Sequence, residues 1–247
     1  MSTCSLTYRI PGYECDQECT LAPPAVFNYL QDSMDQFSRN HRVGYDFCKE
    51  HGLTYMLKSY DVAINDLPHW TDITHMDTVL CDVGLGSLFF KQDLYDQDRK
   101  KILLSSSSHV VLIDVLKKRP ARVKDCLPPT LADIVVPSTP IQPVLTPLDR
   151  IDTTREQEVT SDCIDFNQHV NNTHYVTFAQ RALDPAFLKK AKLKRIQVAY
   201  RQAAILGEKL KVETKIAPGF TDHQISSATT PGKQFARIRF LWTAKDR

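Results

Sequence analysis

The 247-residue chain is 42% hydrophobic and 24% charged, the balance of an ordinary globular protein with enough apolar material for a sizeable core. Its net charge of +2 is too near neutral to suggest a nucleic-acid partner, and no apolar run approaches the ~20 residues that span a bilayer, so no stable membrane insertion is expected. Met1–Tyr8 lacks the basic and apolar regions of a secretory signal, and the seven cysteines are odd in number, scattered and without a CxxC pair. Free thiols in a cytoplasmic protein are therefore the expectation.

The first strand-like run is Cys4 to Ile10. A helix is predicted from Pro24 to His41, because proline suits a first helical position and Val26, Phe27, Leu30, Met34 and Phe37 recur at helical spacing. Strand-like runs follow at Tyr55 to Ile64, Trp70 to Cys81, Ser87 to Tyr95 and Ile102 to Asp114. Leu127 to Asp149 then carries six of the fourteen prolines and reads as an extended linker lying on the surface. Beyond it the order repeats: a short strand at Glu156 to Thr160 and a helix over about Asn171 to Phe187. Strands follow at Arg195 to Ala203, Lys209 to Ile216, His223 to Thr229 and Gln234 to Thr243. A helix followed by an antiparallel sheet, twice over, is an α+β pattern of two tandem hotdog domains, each a long helix wrapped by a sheet. The expected division is 1–126, a linker over 127–149, and 150–247.

The segment with chemical content is Asp165-Phe-Asn-Gln-His-Val-Asn-Asn-Thr-His-Tyr175. If it is extended, Asp165, Asn167 and His169 point to one side. Asn171 and Asn172 fall where a helix should begin, and asparagine is a good N-cap. The unpaired amides of a helix start can stabilise a developing oxyanion. Taken alone, an Asp/Asn-rich segment before a helix is usually a turn and a cap; the repeated architecture tilts the balance toward a site.

That segment resembles the D-x-N-x-H-V-N-N-x-x-Y signature of acyl-acyl carrier protein (acyl-ACP) thioesterases and matches every fixed position. Leu67-Pro-His-Trp70 with Met76-Asp-Thr78 is similar to that family's first-domain P-x-W and threonine pattern. Ser108-His-Val-Val-Leu-Ile-Asp114 with Lys118-Arg-Pro120 is similar to its S-x-W-V-L-I-D…R-R-P segment, with His109 in place of tryptophan. The resemblance implies a thioester hydrolase acting on fatty acyl thioesters of acyl carrier protein. Asp165 would orient or deprotonate a water, or attack the carbonyl directly, while Asn167, His169 and the amides near Asn171 and Asn172 would hold carbonyl and water. By the same analogy the first hotdog would supply the acyl tunnel, with Val26, Phe27, Leu30 and Met34 as lining residues; plain core is the alternative for each. The resemblance leaves a homodimer open.

The sequence departs from the family at one point. The family's second carboxylate, in Y-x-x-E, falls in Tyr200-Arg-Gln-Ala203 on Ala203, which can neither take a proton nor hold a water. Glu208 is a poor substitute unless Gly207 makes a bulge. Asp165 then acts alone, the enzyme is specialised and slow, or the chain binds acyl thioesters without turnover; the intact remainder of the motif favours a hydrolase. Cys163 with His169 could form a nucleophile pair, although a packed thiol is the plainer role. His169 and His174 lack further ligands, so no metal or cofactor is expected. The run Lys189 to Arg195 is the densest basic patch. It reads either as a solvated loop or, through Lys190, Lys192 and Lys194, as a docking surface for an acidic carrier protein.

Overall fold

The computed structural model describes residues 2–245. The chain divides into two compact units, Met1–Gln142 and Pro143–Arg247.

In the first unit, β1 (Thr3–Arg9) leads into a short 3-10 turn and then α1 (Pro23–Asn40). Proline at the first two helical positions sets φ where no intrahelical donor is needed, and Val26, Phe27, Leu30 and Phe37 on one face are 0–1% exposed. A second helix, α2 (Tyr45–Glu50), escaped the sequence reading because six residues are too few to show a helical period. Next come β2 (Leu53–Ile64), β3 (Ile73–Val83), β4 (Ser87–Tyr95), β5 (Ile102–Asp114) and the two-residue β6 (Arg119–Pro120). The antiparallel order is β1-β3-β4-β5-β2, with β6 beside β5. Trp70, expected to open the third strand, sits before it in a turn where Thr71 has φ 74°. A short helix α3 (Val123–Cys126) and a 3-10 turn at Pro129–Ile134 follow. The proline-rich stretch is thus partly coiled rather than wholly extended, and Leu131 and Leu145 are buried.

The inner face of this sheet carries a polar row. Thr78, Gln92 and Ser106 are in register on β3, β4 and β5. Gln92 Nε2 donates to the Leu30 carbonyl and Ser33 Oγ of α1, both at 2.7 Å, and Ser108 Oγ donates to Gln92 Oε1 at 2.8 Å. Thr78 Oγ1 and Ser106 Oγ, although buried, have no partner among the described residues.

In the second unit, β7 (Thr153–Glu158) and a 3-10 turn at Ser161–Cys163 precede α4 (Asn172–Arg181). The helix expected to run to Phe187 breaks in two. Pro185 starts a separate α5 (Pro185–Lys190), where Asp184 Oδ1 accepts the Ala186 amide at 2.7 Å. Then come β8 (Ala191–Tyr200), β9 (Lys209–Ala217), β10 (Phe220–Ser227) and β11 (Gln234–Ala244), in the antiparallel order β8-β11-β10-β9-β7. The lysine run is therefore not a loop: Lys190 ends α5, and Lys192 and Lys194 lie on β8. Here the polar groups around one buried histidine are matched. His223 lies between Thr214 Oγ1 and Thr221 Oγ1, each 3.0 Å from one ring nitrogen, and Trp242 Nε1 donates to Thr221 Oγ1 at 3.0 Å. Burial drives the His223 pKa down to about 3. No helix among the described residues is long and apolar enough to cross a membrane.

Candidate active site

The Asp165 segment is a closed turn, not the extended run expected from its alternation. Ile164 and Val170 form an antiparallel bridge. The Asp165 amide donates to the His169 carbonyl at 2.8 Å, and the Gln168 amide returns to the Asp165 carbonyl at 3.0 Å. Gln168 has φ 62°, a left-handed conformation that costs an L-residue ~1–2 kcal/mol. The Asp165 side chain holds the turn in that shape: Oδ1 accepts the Asn167 amide at 2.8 Å and the His169 amide at 3.4 Å. Oδ2 has no partner among the described residues. Asp165 is half-buried, and Asn167 and His169 are exposed.

The helix that follows is capped as its sequence suggests. Asn171 Oδ1 accepts the Thr173 amide at 3.1 Å, and the His174 amide returns to the Asn171 carbonyl at 3.0 Å. The Asn172 amide is left without an acceptor among the described residues, at the positive end of α4. The segment after β8 closes over the same place. The Ala204 carbonyl accepts the Val170 amide at 2.9 Å, and the Ala204 amide donates to the Tyr175 hydroxyl at 2.9 Å. Tyr200 Oη donates to the Asn172 carbonyl at 3.0 Å. Burial pushes the Tyr175 hydroxyl up to about 12, so it keeps its proton at neutral pH.

β8 stops at Tyr200, so Ala203 lies outside the strand in which it was expected; it is exposed, next to buried Ala204. Glu208 also lies outside a strand, after Gly207 at φ 76°. Its carboxylate is held by Lys233 Nζ and Ser227 Oγ, each at 2.7 Å, and the lysine keeps it charged below the usual carboxylate range. Glu208 is thereby committed to a structural ion pair. Cys163 is buried, with Thr160 Oγ1 3.7 Å from its sulfur and no histidine beside it among the described hydrogen bonds, so the packed thiol is the better description. Val26, Phe27, Leu30 and Met34 lie on the buried face of α1.

The sequence reading missed a second copy of this turn. Its first-half counterpart is Cys15 to Leu21. Those two end residues form the bridge. The Asp16 amide donates to the Thr20 carbonyl at 2.8 Å, and the Cys19 amide to the Asp16 carbonyl at 3.1 Å. Asp16 Oδ1 accepts the Glu18 amide at 2.9 Å and the Thr20 amide at 3.0 Å, and Cys19 has φ 59°. Asp16 stands where Asp165 stands, Glu18 for Asn167 and Thr20 for His169. After it, Pro23 and Pro24 occupy the first two helical positions, which removes the amides that a helix start would offer. The Asp followed by a 3-10 turn's exit was the available signal, but only aspartate is shared between the two turns.

Two family models match the chain: the acyl-ACP thioesterase N-terminal domain over residues 2–128 and the acyl-ACP thioesterase C-terminal domain over residues 149–244. The chain belongs to the acyl-ACP thioesterase family. Curated relatives include a chloroplastic palmitoyl-acyl carrier protein thioesterase of Gossypium hirsutum, 21% identical over 239 residues that cover 90% of this chain and 57% of the relative. Another is its Arabidopsis thaliana namesake, 22% identical over 208 residues, 79% of this chain and 50% of the relative. The chain thus spans about half the length of the curated relatives it matches. Among solved structures, an acyl-ACP thioesterase from Bacteroides thetaiotaomicron superposes with a TM-score of 0.87 at 15% identity, covering 98% of both chains. A 12:0-ACP thioesterase from Umbellularia californica does so with 0.87 at 18% identity, covering 99% of this chain and 98% of the other. These likenesses establish the α+β hotdog fold. The Asp165 turn lies in the C-terminal family domain and the Asp16 turn in the N-terminal one.

Proposed function

We propose that the chain hydrolyses acyl thioesters carried on acyl carrier protein, releasing the free fatty acid and the carrier thiol. The carrying observation is the aspartate-anchored turn in the C-terminal domain, which spends one carboxylate oxygen on its own amides and keeps the other unpartnered. In this reading Asp165 Oδ2 takes a proton as water attacks the thioester carbonyl. The developing oxyanion is met by the Asn172 amide, with Asn167 and His169 placing carbonyl and water. The tetrahedral intermediate then collapses, the C–S bond breaks and the thiolate recovers the proton. Thiolate is a good leaving group, so charge stabilisation and one base suffice. Val26, Phe27, Leu30 and Met34 are assigned to the acyl chain, and Lys190, Lys192 and Lys194 to the acidic surface of the carrier.

Ala203 favours a second reading, an acyl-thioester binder with little turnover, since the family's second carboxylate is absent from the segment beside the turn. A hydrolysis assay over acyl-ACP and acyl-CoA panels separates the two. Release of fatty acid from acyl-ACP supports the enzyme. Unhydrolysed acyl thioester retained in native mass spectrometry, with no release from either panel, supports the binder.

A further inference from the structure

Ala204 is 0% exposed, and both its backbone groups are spoken for: the carbonyl by the Val170 amide that ends the Asp165 turn, the amide by the Tyr175 hydroxyl of α4. The first unit holds the same place with Pro68. Its carbonyl accepts the Leu21 amide, which ends the Asp16 turn, at 2.8 Å, and proline has no amide to satisfy. The helix residue covaries with this difference inside one molecule. Val26 and Tyr175 are each the fourth residue of their helix. A hydroxyl is present where the buried amide exists and missing where it does not. A buried N–H without an acceptor is costly, and the tyrosine is the acceptor. Its ring also packs edge-on against Tyr200, with centroids 5.8 Å apart, and Tyr200 is bonded to the Asn172 carbonyl.

We propose that Tyr175 is a positioning residue for hydrolysis: by taking the Ala204 amide it holds the segment after β8 against the start of α4, and through Ala204 it fixes the Val170 end of the Asp165 turn. This rests on the hydrolase reading and adds to it a residue that touches neither substrate nor water.

The test uses Y175F, A204P and the double variant Y175F/A204P in the full chain. Y175F orphans the amide; A204P deletes it, reproducing the Pro68 arrangement. We expect Y175F to lower kcat about ten-fold with KM changed by less than about two-fold, because the turn is displaced while substrate contacts remain. The double variant, in which the hydroxyl no longer stands against the proline ring, should regain most of the loss, whereas A204P alone should be impaired, because its ring carbon would meet the Tyr175 hydroxyl, 2.9 Å from that nitrogen in the parent. A double variant as slow as Y175F, or Y175F with unaltered kcat, overturns the proposal. Amide hydrogen exchange reads the tie without activity. Ala204 and Val170 amides should be protected in the parent and released together in Y175F. Fast exchange at Ala204 in the parent, or unchanged protection at both in Y175F, also overturns it. Absence of hydrolysis by the parent on every acyl thioester would sink the hydrolase reading, and the exchange result would still decide whether the tie exists.

Discussion

The Asp16 and Asp165 turns match bond for bond, yet only the second is followed by a helix start with an amide to offer. Both aspartates hold two amides of their own turn, and both turns contain one residue forced to positive φ. The aspartate is thus first a structural device, present wherever this fold turns into its helix. What differs is what surrounds it. The second turn presents Asn167 and His169 and is followed by a helix start with a spare amide. The first presents Glu18 and Thr20 and is followed by two prolines that have no amide to give. On the proposed hydrolase reading, function is an addition to a turn whose architecture exists in both halves.

The largest expected effect separates those two roles of aspartate. In Asp165→Asn the amide oxygen can still accept the turn's N–H groups, so the shape is kept while the base is lost. We expect kcat to fall by about 10² to 10⁴, the usual worth of a positioned base, with KM little changed. Asp16→Asn should leave kcat where it was. Equal losses in both variants would mean that Asp165, like Asp16, only shapes its turn.

How much of this could be read beforehand follows from what each feature depends on. The bounds of β4 and β5 were legible to the residue, and α1 to within one, because they rest on side-chain periodicity and on proline at a helix start. The closed Asp165 turn was not: alternating Asp, Asn and His suits a strand equally well, and the left-handed Gln168 lacks the glycine that would have announced it. The twin at Asp16 was hidden for a related reason. Its bonds run from backbone to backbone and to a single aspartate, so its other residues were free to differ. The break at Pro185 was legible as a limit, but not as the start of a second helix capped by Asp184.

A second contrast lies in the cores. The inner face of the second unit buries His223 at 1% exposure as a neutral ring. Its folded pKa of about 3 lies below the unfolded value of ~6.5, so the unfolded chain takes up a proton first as pH falls. Its contribution to stability is therefore complete above pH ~6.5 and is lost progressively toward pH ~3, at up to ~1.4 kcal/mol per unit. Hydrogen exchange should show amides of β9, β10 and β11 losing protection between about pH 6.5 and 4.5 before those of β3, β4 and β5. In His223→Gln this pH dependence should flatten. Simultaneous loss in both units, or an unchanged slope in the variant, would remove His223 as the cause.

Restoring the family's carboxylate probes the same comparison from the other side. Ala203 is exposed beside the segment that closes on the turn, so glutamate meets no packed core there. Ala203→Glu should raise kcat by roughly ten-fold, about 1.4 kcal/mol of barrier, less than an evolved base because nothing is arranged to hold it. No gain in a folded variant would indicate that Asp165 already suffices. The smallest effect should come from Lys190, Lys192 and Lys194 changed together to Glu. Turnover of acyl-ACP at low salt should fall several-fold while small thioesters are spared. Equal losses on both would exclude carrier docking by this patch.

The unpartnered hydroxyls of Thr78 and Ser106 bear on how freely each half can evolve. Removing a buried hydroxyl that bonds to nothing costs little and can even stabilise, whereas removing one that satisfies a neighbour strands that neighbour. Thr78→Val or Ser106→Ala is therefore a short and nearly level step, and the polarity beneath α1 can drift one residue at a time. Around His223 no such step exists, because Thr214 and Thr221 are bonded to the ring and Trp242 to Thr221, so that each change strands a neighbour. If the proposed division of labour holds, selection for a new acyl group would find its first accessible substitutions in the half that has no Asn-His turn, leaving the other half undisturbed.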